Sequence, residues 1–299
     1  MEYDELLEKI CHELDIRLTH LSDSWLKVLE KNGDIHYIQG YKFDLNNHGI
    51  GNIMDDKGLF HDLLVFKKLP VIEHKGIFKT YNKQDVLNYF NKNNNTLIVK
   101  GNLGTCGKEV YLVNNEKDLF EKIDRLLLKQ SGISLCPYYD IQNEYRVIVL
   151  NNEARVIYGK IRPEVIGDGK STIFELATAF NSYYINKKEE IVNSSYIPEN
   201  GEHVLLNFQF NLSNGAKMFL DIEKELKEKI VEIALDVAKK VGIVFGSIDI
   251  IYTNDKKLYV IEANSGVMMD SFIKQNKKNG YEIAYNLYKD AIKLMFEKK

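Results

Sequence analysis

Two apolar stretches near the C-terminal end, SIDIIYT and LYVIEAN, carry Asp249, Glu262 and Asn264 and flank the polar run Asn254-Asp255-Lys256-Lys257. A hairpin with that tetrapeptide as its turn pairs Thr253 with Leu258 and, counted back along both strands, sets Asp249 opposite Glu262. Asn264 follows two residues on, on the same face. Carboxylates about 5 Å apart repel by about 3 kcal/mol at an effective dielectric of about 20, and a divalent cation between them removes that cost. Two carboxylates and an amide oxygen are hard donors, suited to magnesium, or manganese, holding a nucleotide's phosphates. The other reading turns one carboxylate to solvent, as most strand-borne acids are. The apolar neighbours count against it, because an unpaired acid in a core-like strand is costly.

A second constellation is LIVKGNLGTCGKEVYLV, Leu97 to Val113, where Gly101, Gly104 and Gly107 lie between apolar runs, just after Lys100. It is not a GxxxxGK[ST] loop, because Gly101 and Gly107 enclose five residues and Glu109 follows Lys108. GDGKST at Gly167 to Thr172 has the right tail but Glu164 where the first glycine belongs, and no GxGxxG is present in either stretch. A strand-end lysine, a glycine-rich loop and a return strand can instead fold backbone N–H groups over phosphates, with Lys100 supplying charge. On the loop alone, a plain glycine-rich surface hairpin stays open.

The elements that must position these residues are legible from periodicity. Residues 5–14 read as a helix, 23–41 as short strands around Lys31-Asn32-Gly33-Asp34, and Asn46 to Asp56 as the most linker-like composition in the chain. Helical spacing follows over 57–68, strand-like alternation in LPVIEHKGIF, a helix over 83–91, strands at 96–100 and 110–113, and a helix over 116–130. RVIVL and ARVIYGK form a hairpin about Asn151-Asn152. Helices are expected over 171–181, 221–241 with Gly242 as its stop, and 281–296.

Composition narrows the functions. The 299 residues can bury a large core, and 40 basic against 43 acidic residues leave a net charge of -3, so no global positive field draws the chain to nucleic acid or anionic membrane. The opening MEYDELLEK is acidic where a targeting segment would be basic, and no apolar run approaches the roughly 20 residues that span a bilayer. The expected location is the cytoplasm. Cys11, Cys106 and Cys136 are far apart with no CxxC, and the seven histidines make no ligand pair in sequence, which argues against a disulfide or zinc framework.

Several ordered pieces together resemble the ATP-grasp ligases, over Asp56 to about Phe272, and among them cyanophycin synthetase, bifunctional glutathione synthetase and the ribosomal-protein glutamate ligases. MDDKGLFHDLLVFKKLPV resembles the family's DK segment; LIVKGNLGTCGKEV its second lysine and glycine loop; NEYRVIVLNNEARVIYGKI its [DE]YR segment. IRPEVIGDGKSTIFEL is similar to the VxGDGKxTIxEL signature, FNLSNGA to NLxxGG, and GSIDIIY with VIEANSG to the metal strands.

That resemblance implies an α+β ATP-grasp fold, two α+β subdomains whose antiparallel sheets sandwich ATP, after a short N-terminal α/β region. The expected divisions are 1–55, 56–135 and 136–299. It assigns Lys57 and Lys100 to the phosphates with the backbone of Gly104, Thr105, Cys106 and Gly107, and Glu144 to the ribose. Asp249, Glu262 and Asn264 would hold magnesium, while Arg146, Lys160 and Asn211 would be catalytic. Pro137 has no N–H to offer the adenine hinge, so Tyr138 to Asp140 would read the base by backbone groups, with Cys136 and Tyr139 as walls. Lys160 stands where relatives often have arginine, keeping the charge but not the bidentate geometry. Asn207, Asn211 and residues 181–202, expected to include a mobile loop, would touch substrates.

The implied reaction joins a carboxylate and an amine through an acyl phosphate, releasing ADP and phosphate. Substrates would be amino acids or peptides, with a homodimer as the expected assembly and no nucleic acid or membrane partner. Two alternatives stand: a phosphotransferase of the same fold acting on a hydroxyl, and a non-catalytic nucleotide-binding module.

Overall fold

A computed structural model describes residues 2–104, 109–188, 191 and 193–297. The 245–253 stretch, apolar on both faces, becomes β14 (Phe245–Thr253) and lies inside a five-stranded antiparallel sheet. The strands, in spatial order, are β13 (Lys217–Phe219), β10 (Glu153–Ile161), β9 (Ile141–Leu150), β14 and β15 (Leu258–Asn264). Strand alternation divides its side chains. Tyr145, Val147, Val149, Ile248, Ile250 and Val260 face helix α7 (Lys224–Val241), together with Phe60 and Leu64 of α3 (Lys57–Phe66). α7 buries Ile230, Ala234, Val237 and Val241 as one stripe and ends at Gly242, whose φ of 89° suits glycine.

The other face of this sheet is split. One half packs Ile148, Leu150, Tyr158 and Phe245 against the N-terminal helix α1 (Glu2–Glu13), an antiparallel meander of β1 (Arg17–Leu21), β2 (Leu26–Lys31), β3 (Asp34–Gln39) and β4 (Lys42–Phe43), and the last helix α9 (Gly280–Glu297). The N-terminal residues therefore share a core with the C-terminal ones. The remaining half stays uncovered by helix and faces a second sheet.

That second sheet has the order β5 (Lys75–Phe78), β8 (Gly132–Pro137), β6 (Leu97–Gly101), β7 (Val110–Val113). Its own core joins Ile77, Leu97, Val99, Ile133 and Leu135 to Val86 and Phe90 of α4 (Lys83–Lys92) and Leu119, Ile123 and Leu126 of α5 (Glu116–Leu127). Between residues 161 and 217 a smaller unit holds the two-stranded pair β11 (Glu164–Ile166) and β12 (His203–Leu205) with α6 (Ile173–Phe180) about Tyr184, Ile191 and Leu206.

Three local expectations change. Asn46 to Asp56 is not a linker but contains α2 (His48–Asp55). Its polar residues brace rather than loosen the chain: Asn47 caps the helix by accepting from the Ile50 N–H at 2.9 Å, and Asn46 accepts from the N–H groups of Val244 and Phe245 while donating to the Phe245 carbonyl. LPVIEHKGIF forms a strand only at Lys75–Phe78, because Val71 instead makes a single parallel bridge to Val260 at the edge of β15. The β14–β15 turn is one residue longer than counted, with Tyr252 opposite Leu258. A bulge that leaves Ile261 unpaired then restores Asp249 opposite Glu262 and Ser247 opposite Asn264. α8 (Asp270–Gln275) and the β11–β12 pair had no counterpart in the sequence reading.

Candidate active site

Between the two sheets lies a cavity of about 720 Å³. Its lining includes Lys57, Lys100, Gly104, Cys136, Tyr138, Tyr139, Glu144, Arg146, Lys160, Asn211, Glu262 and Asn264, so twelve residues expected from sequence meet there. Register explains the convergence on the large sheet: Glu144 pairs with Lys160, and Arg146 with both Tyr158 and Asp249, so these side chains share one face. Thr105, Cys106 and Gly107 lie outside the described residues, as does Lys108.

The cavity has three stretches. One end is apolar: Ile72, Cys136 and Ile251 form a buried cluster backed by Ile98, Tyr139 and Ile261. The Tyr139 hydroxyl accepts from the Glu73 N–H at 2.8 Å, which fixes the wall. Asp140, expected to read a base here, does not reach the cavity; it is exposed, and its carbonyl accepts from the Asn254 N–H in the β14–β15 turn.

The middle is ionic. Asp56 caps α3 by accepting from Gly58 and Leu59, which sets Lys57 at the start of the helix. The Lys57 ammonium donates to the Gly104 carbonyl and lies 3.5 Å from Glu262, tying the start of the glycine loop to β15. A side chain at Gly58 would meet the Asn102 amide at 2.6 Å, so glycine there lets the Asn102 side chain keep its position against the helix.

Asp249 is only 1% exposed and lies beneath the cavity floor rather than on it. Arg146 grips it with both arms, Nε at 2.8 Å and Nη2 at 2.5 Å, and Lys160 approaches at 3.3 Å while also donating to Glu144. Burial opposes the charge on Asp249, but Arg146 and then Lys160 outweigh it and hold the carboxyl well below the usual carboxylate range. Burial has the upper hand at Glu144, which is lifted to about 7 although Lys160 pulls it down. Burial likewise works against the Arg146 charge, and Asp249 restores it.

The repulsion between Asp249 and Glu262 that the sequence count leaves to a metal is therefore relieved by protein cations, Arg146 and Lys160 on one acid and Lys57 on the other. The donors still fit a hard divalent cation. Glu262 and Asn264 stand on the cavity wall, where a carboxylate and an amide oxygen are hard donors, and among the described residues Glu262 is paired with the Lys57 ammonium at 3.5 Å. Asp249 could join them only after Arg146 lets go.

The far end was not foreseen. Trp25, Gln39, Tyr41 and Lys42 of the N-terminal meander line it with Ser213, Met268 and Ser271. The signal in sequence was the chain's single tryptophan, Trp25. Asn211 reaches this end but its side-chain oxygen accepts from the Ser213 N–H and hydroxyl, capping the short 3-10 turn Leu212–Asn214. Asn207 is not on the cavity; it bridges the Tyr184 hydroxyl and the Gln209 N–H. Of residues 181–202, Glu189, Glu190 and Val192 lie outside the described residues.

Outside the cavity, the fold stacks His61 on His74 with ring centroids 4.2 Å apart, and with Asp62 their ligand atoms lie within 4.8 Å of one another. Burial, then His61 and Lys100, push the His74 imidazole down to about 3, so it is neutral. Among the described residues no helix is long and apolar enough to cross a membrane.

Residues 198–289 match the model of the RimK-like ATP-grasp domain. The glutathione biosynthesis bifunctional protein of Enterococcus faecalis is 23% identical over 323 residues, covering 97% of this chain and 42% of the relative. The bifunctional glutathione synthetase of Pasteurella multocida superposes with a TM-score of 0.57 at 17% identity, covering 97% of this chain and 44% of that one. D-alanine–D-alanine ligase of Bacillus anthracis gives 0.56 at 15% identity, over 83% and 70% of the two chains. The chain thus spans less than half the length of the glutathione proteins it matches. Residues 198–289, which carry both β14 and β15, match an ATP-grasp domain, and the chain as a whole, with two antiparallel sheets enclosing the site, has the fold of the ATP-grasp ligases.

Proposed function

We propose that this protein is an ATP-dependent carboxylate–amine ligase acting on an amino acid or peptide in the cytoplasm. The observation that carries the reading is the ionic middle of the cavity, where Lys57, Lys100, Arg146 and Lys160 face Glu144 and Glu262 between the two sheets. The apolar end about Cys136 and Ile251 suits a purine, with Tyr138 at its edge and Glu144 toward the ribose. Lys57, Lys100 and the backbone of residues 104–107 would take the phosphates; Glu262 and Asn264, with Asp249 once released, would hold magnesium or manganese. When bound, that cation neutralises phosphate charge. The divisions 1–55, 56–135 and 136–299 are part of this proposal, as is a homodimer.

In this reading a substrate carboxylate oxygen attacks the γ-phosphorus of ATP and the β–γ bridge breaks, giving an acyl phosphate and ADP. An amine then attacks the acyl carbon, loses a proton, and phosphate leaves with the C–O electron pair. Neither carboxylate nor amine reacts unaided at neutral pH, so ATP makes the leaving group. Arg146 and Lys160, on the cavity lining, would stabilise negative charge as it develops. Asn211, committed to its cap, acts by positioning residues 212–213.

The test is phosphate release from ATP and magnesium with pools of amino acids and peptides. Stimulation above background by at least one pool is expected, with an amide product by mass spectrometry. ATP binding with no stimulated phosphate release would remove the ligase reading, and a phosphoester without free phosphate would favour the phosphotransferase. Lys100→Ala and Glu262→Ala should each abolish turnover while circular dichroism stays unchanged; full activity in either would remove that assignment.

A further inference from the structure

We infer that the N-terminal meander selects the substrate, and that Trp25 and Tyr41 favour an amino acid or peptide terminus with an apolar or aromatic side chain over an acidic one. This rests on the ligase reading above and identifies its substrate class. With the apolar end suited to the base and the ionic middle to the phosphates, the end left for the reacting carboxylate and amine is the one lined by Trp25, Gln39, Tyr41, Ser213 and Met268.

The meander is fastened to the strand that carries Glu262 and Asn264. Lys42 bridges Gly266, the Val267 N–H donates to the Tyr41 carbonyl at 3.1 Å, and Asp55 holds both the Lys42 ammonium and Ser265. Tyr41 is therefore held beside the chain that continues directly from Asn264. Trp25 is set against it: its ring covers Gly40, where a Cβ would lie 2.9 Å from Cη2 and φ is +58°. A 60% exposed tryptophan held in place by packing against a glycine, at the mouth of a cavity, is a preorganised flat apolar surface.

Charge excludes the acidic alternative. Lys42 lines this end, and Asp55 pairs with it at 2.5 Å. Asp270, close enough to the Tyr41 hydroxyl to add to burial in raising its pKa, disfavours a second carboxylate on the substrate side chain. Gln39, Ser213 and Ser271 offer neutral hydrogen bonds, enough for a backbone but not for an extra charge.

Because Trp25 is the only tryptophan, its emission reports occupancy of this end directly. The full chain, saturated with a non-hydrolysable ATP analogue and magnesium, is titrated with L-phenylalanine, L-leucine, L-glutamate and L-aspartate, and nucleotide affinity is measured separately by calorimetry. The apolar amino acids should shift the emission and stimulate phosphate release from ATP, and the acidic pair should do neither. Trp25→Ala should raise KM for the apolar substrate about tenfold with kcat and ATP affinity little changed, and Trp25→Phe should restore most of it. Preference for the acidic pair, no emission change with any of the four while nucleotide binds, or unchanged KM in Trp25→Ala would each overturn the inference. Loss of nucleotide binding in the parent protein would instead overturn the ligase reading beneath it.

Discussion

Lys57 couples the two halves of the site, and neutralising it should have opposite effects on metal and nucleotide. Its ammonium lies 3.5 Å from Glu262 and donates to the Gly104 carbonyl. At that separation the attraction is about 5 kcal/mol for a dielectric of about 20. The two side chains are 11% and 28% exposed, so water and salt screen the pair to about 1–2 kcal/mol. Metal binding in the nucleotide-free protein must take Glu262 from Lys57, so that energy opposes it. In Lys57→Met the opposition vanishes and Mn2+, followed by electron paramagnetic resonance without nucleotide, should bind about tenfold tighter. ATP, which loses a phosphate partner, should bind at least about tenfold more weakly. Unchanged or weaker Mn2+ binding in a variant with parental circular dichroism and melting would refute the argument, because Glu262 would then be neither blocked by Lys57 nor the seat of the metal.

Two stability predictions accompany it. Arg146→Met strands Asp249, 1% exposed, with Lys160 as its remaining partner, and urea unfolding should show a loss of about 3 kcal/mol, partly recovered by adding Asp249→Asn; a loss below about 1 kcal/mol would contradict the pairing. His74 is neutral when folded and takes a proton near pH 6.5 when unfolded, so the unfolded chain binds more protons between about pH 6.5 and 3. Stability should therefore fall as pH drops below about 6.5, by at most about 1.4 kcal/mol per unit from this group, and His74→Gln should flatten the curve; parallel curves for the two proteins would count against a buried neutral imidazole.

What sequence determined and what it did not can be traced to the range of the interactions involved. Strand alternation is local, and it put Asp249 opposite Glu262 because parity survives changes of register that come in compensating pairs, whereas Lys160 shares the face of Glu144 only through a single register shift between Ala154 and Val156. The longer turn and the bulge at Ile261 are such a pair: each was invisible, and together they cancel. Asn46 and Asn47 illustrate the converse. By composition they mark a linker, yet their side chains find Val244, Phe245 and Ile50, and only the first two partners lie across the fold.

Charge pairing was the least legible property, since it depends on which cation happens to lie nearest. Sequence set two acids side by side and left their repulsion to a metal. The folded sheet brings Arg146 and Lys160 onto Asp249 and, from a helix more than two hundred residues earlier in the chain, Lys57 onto Glu262. The same holds for Trp25: nothing local links it to Asn264, and the Lys42–Gly266 bridge that carries the meander to the site exists only in three dimensions. Sequence by itself determined the chemical groups and, on the β14–β15 hairpin, their common face, through the short-range periodicity of the backbone. Tertiary structure alone decided which groups neutralise one another and what wall the substrate meets, because electrostatics and packing act through space, without regard to order along the chain.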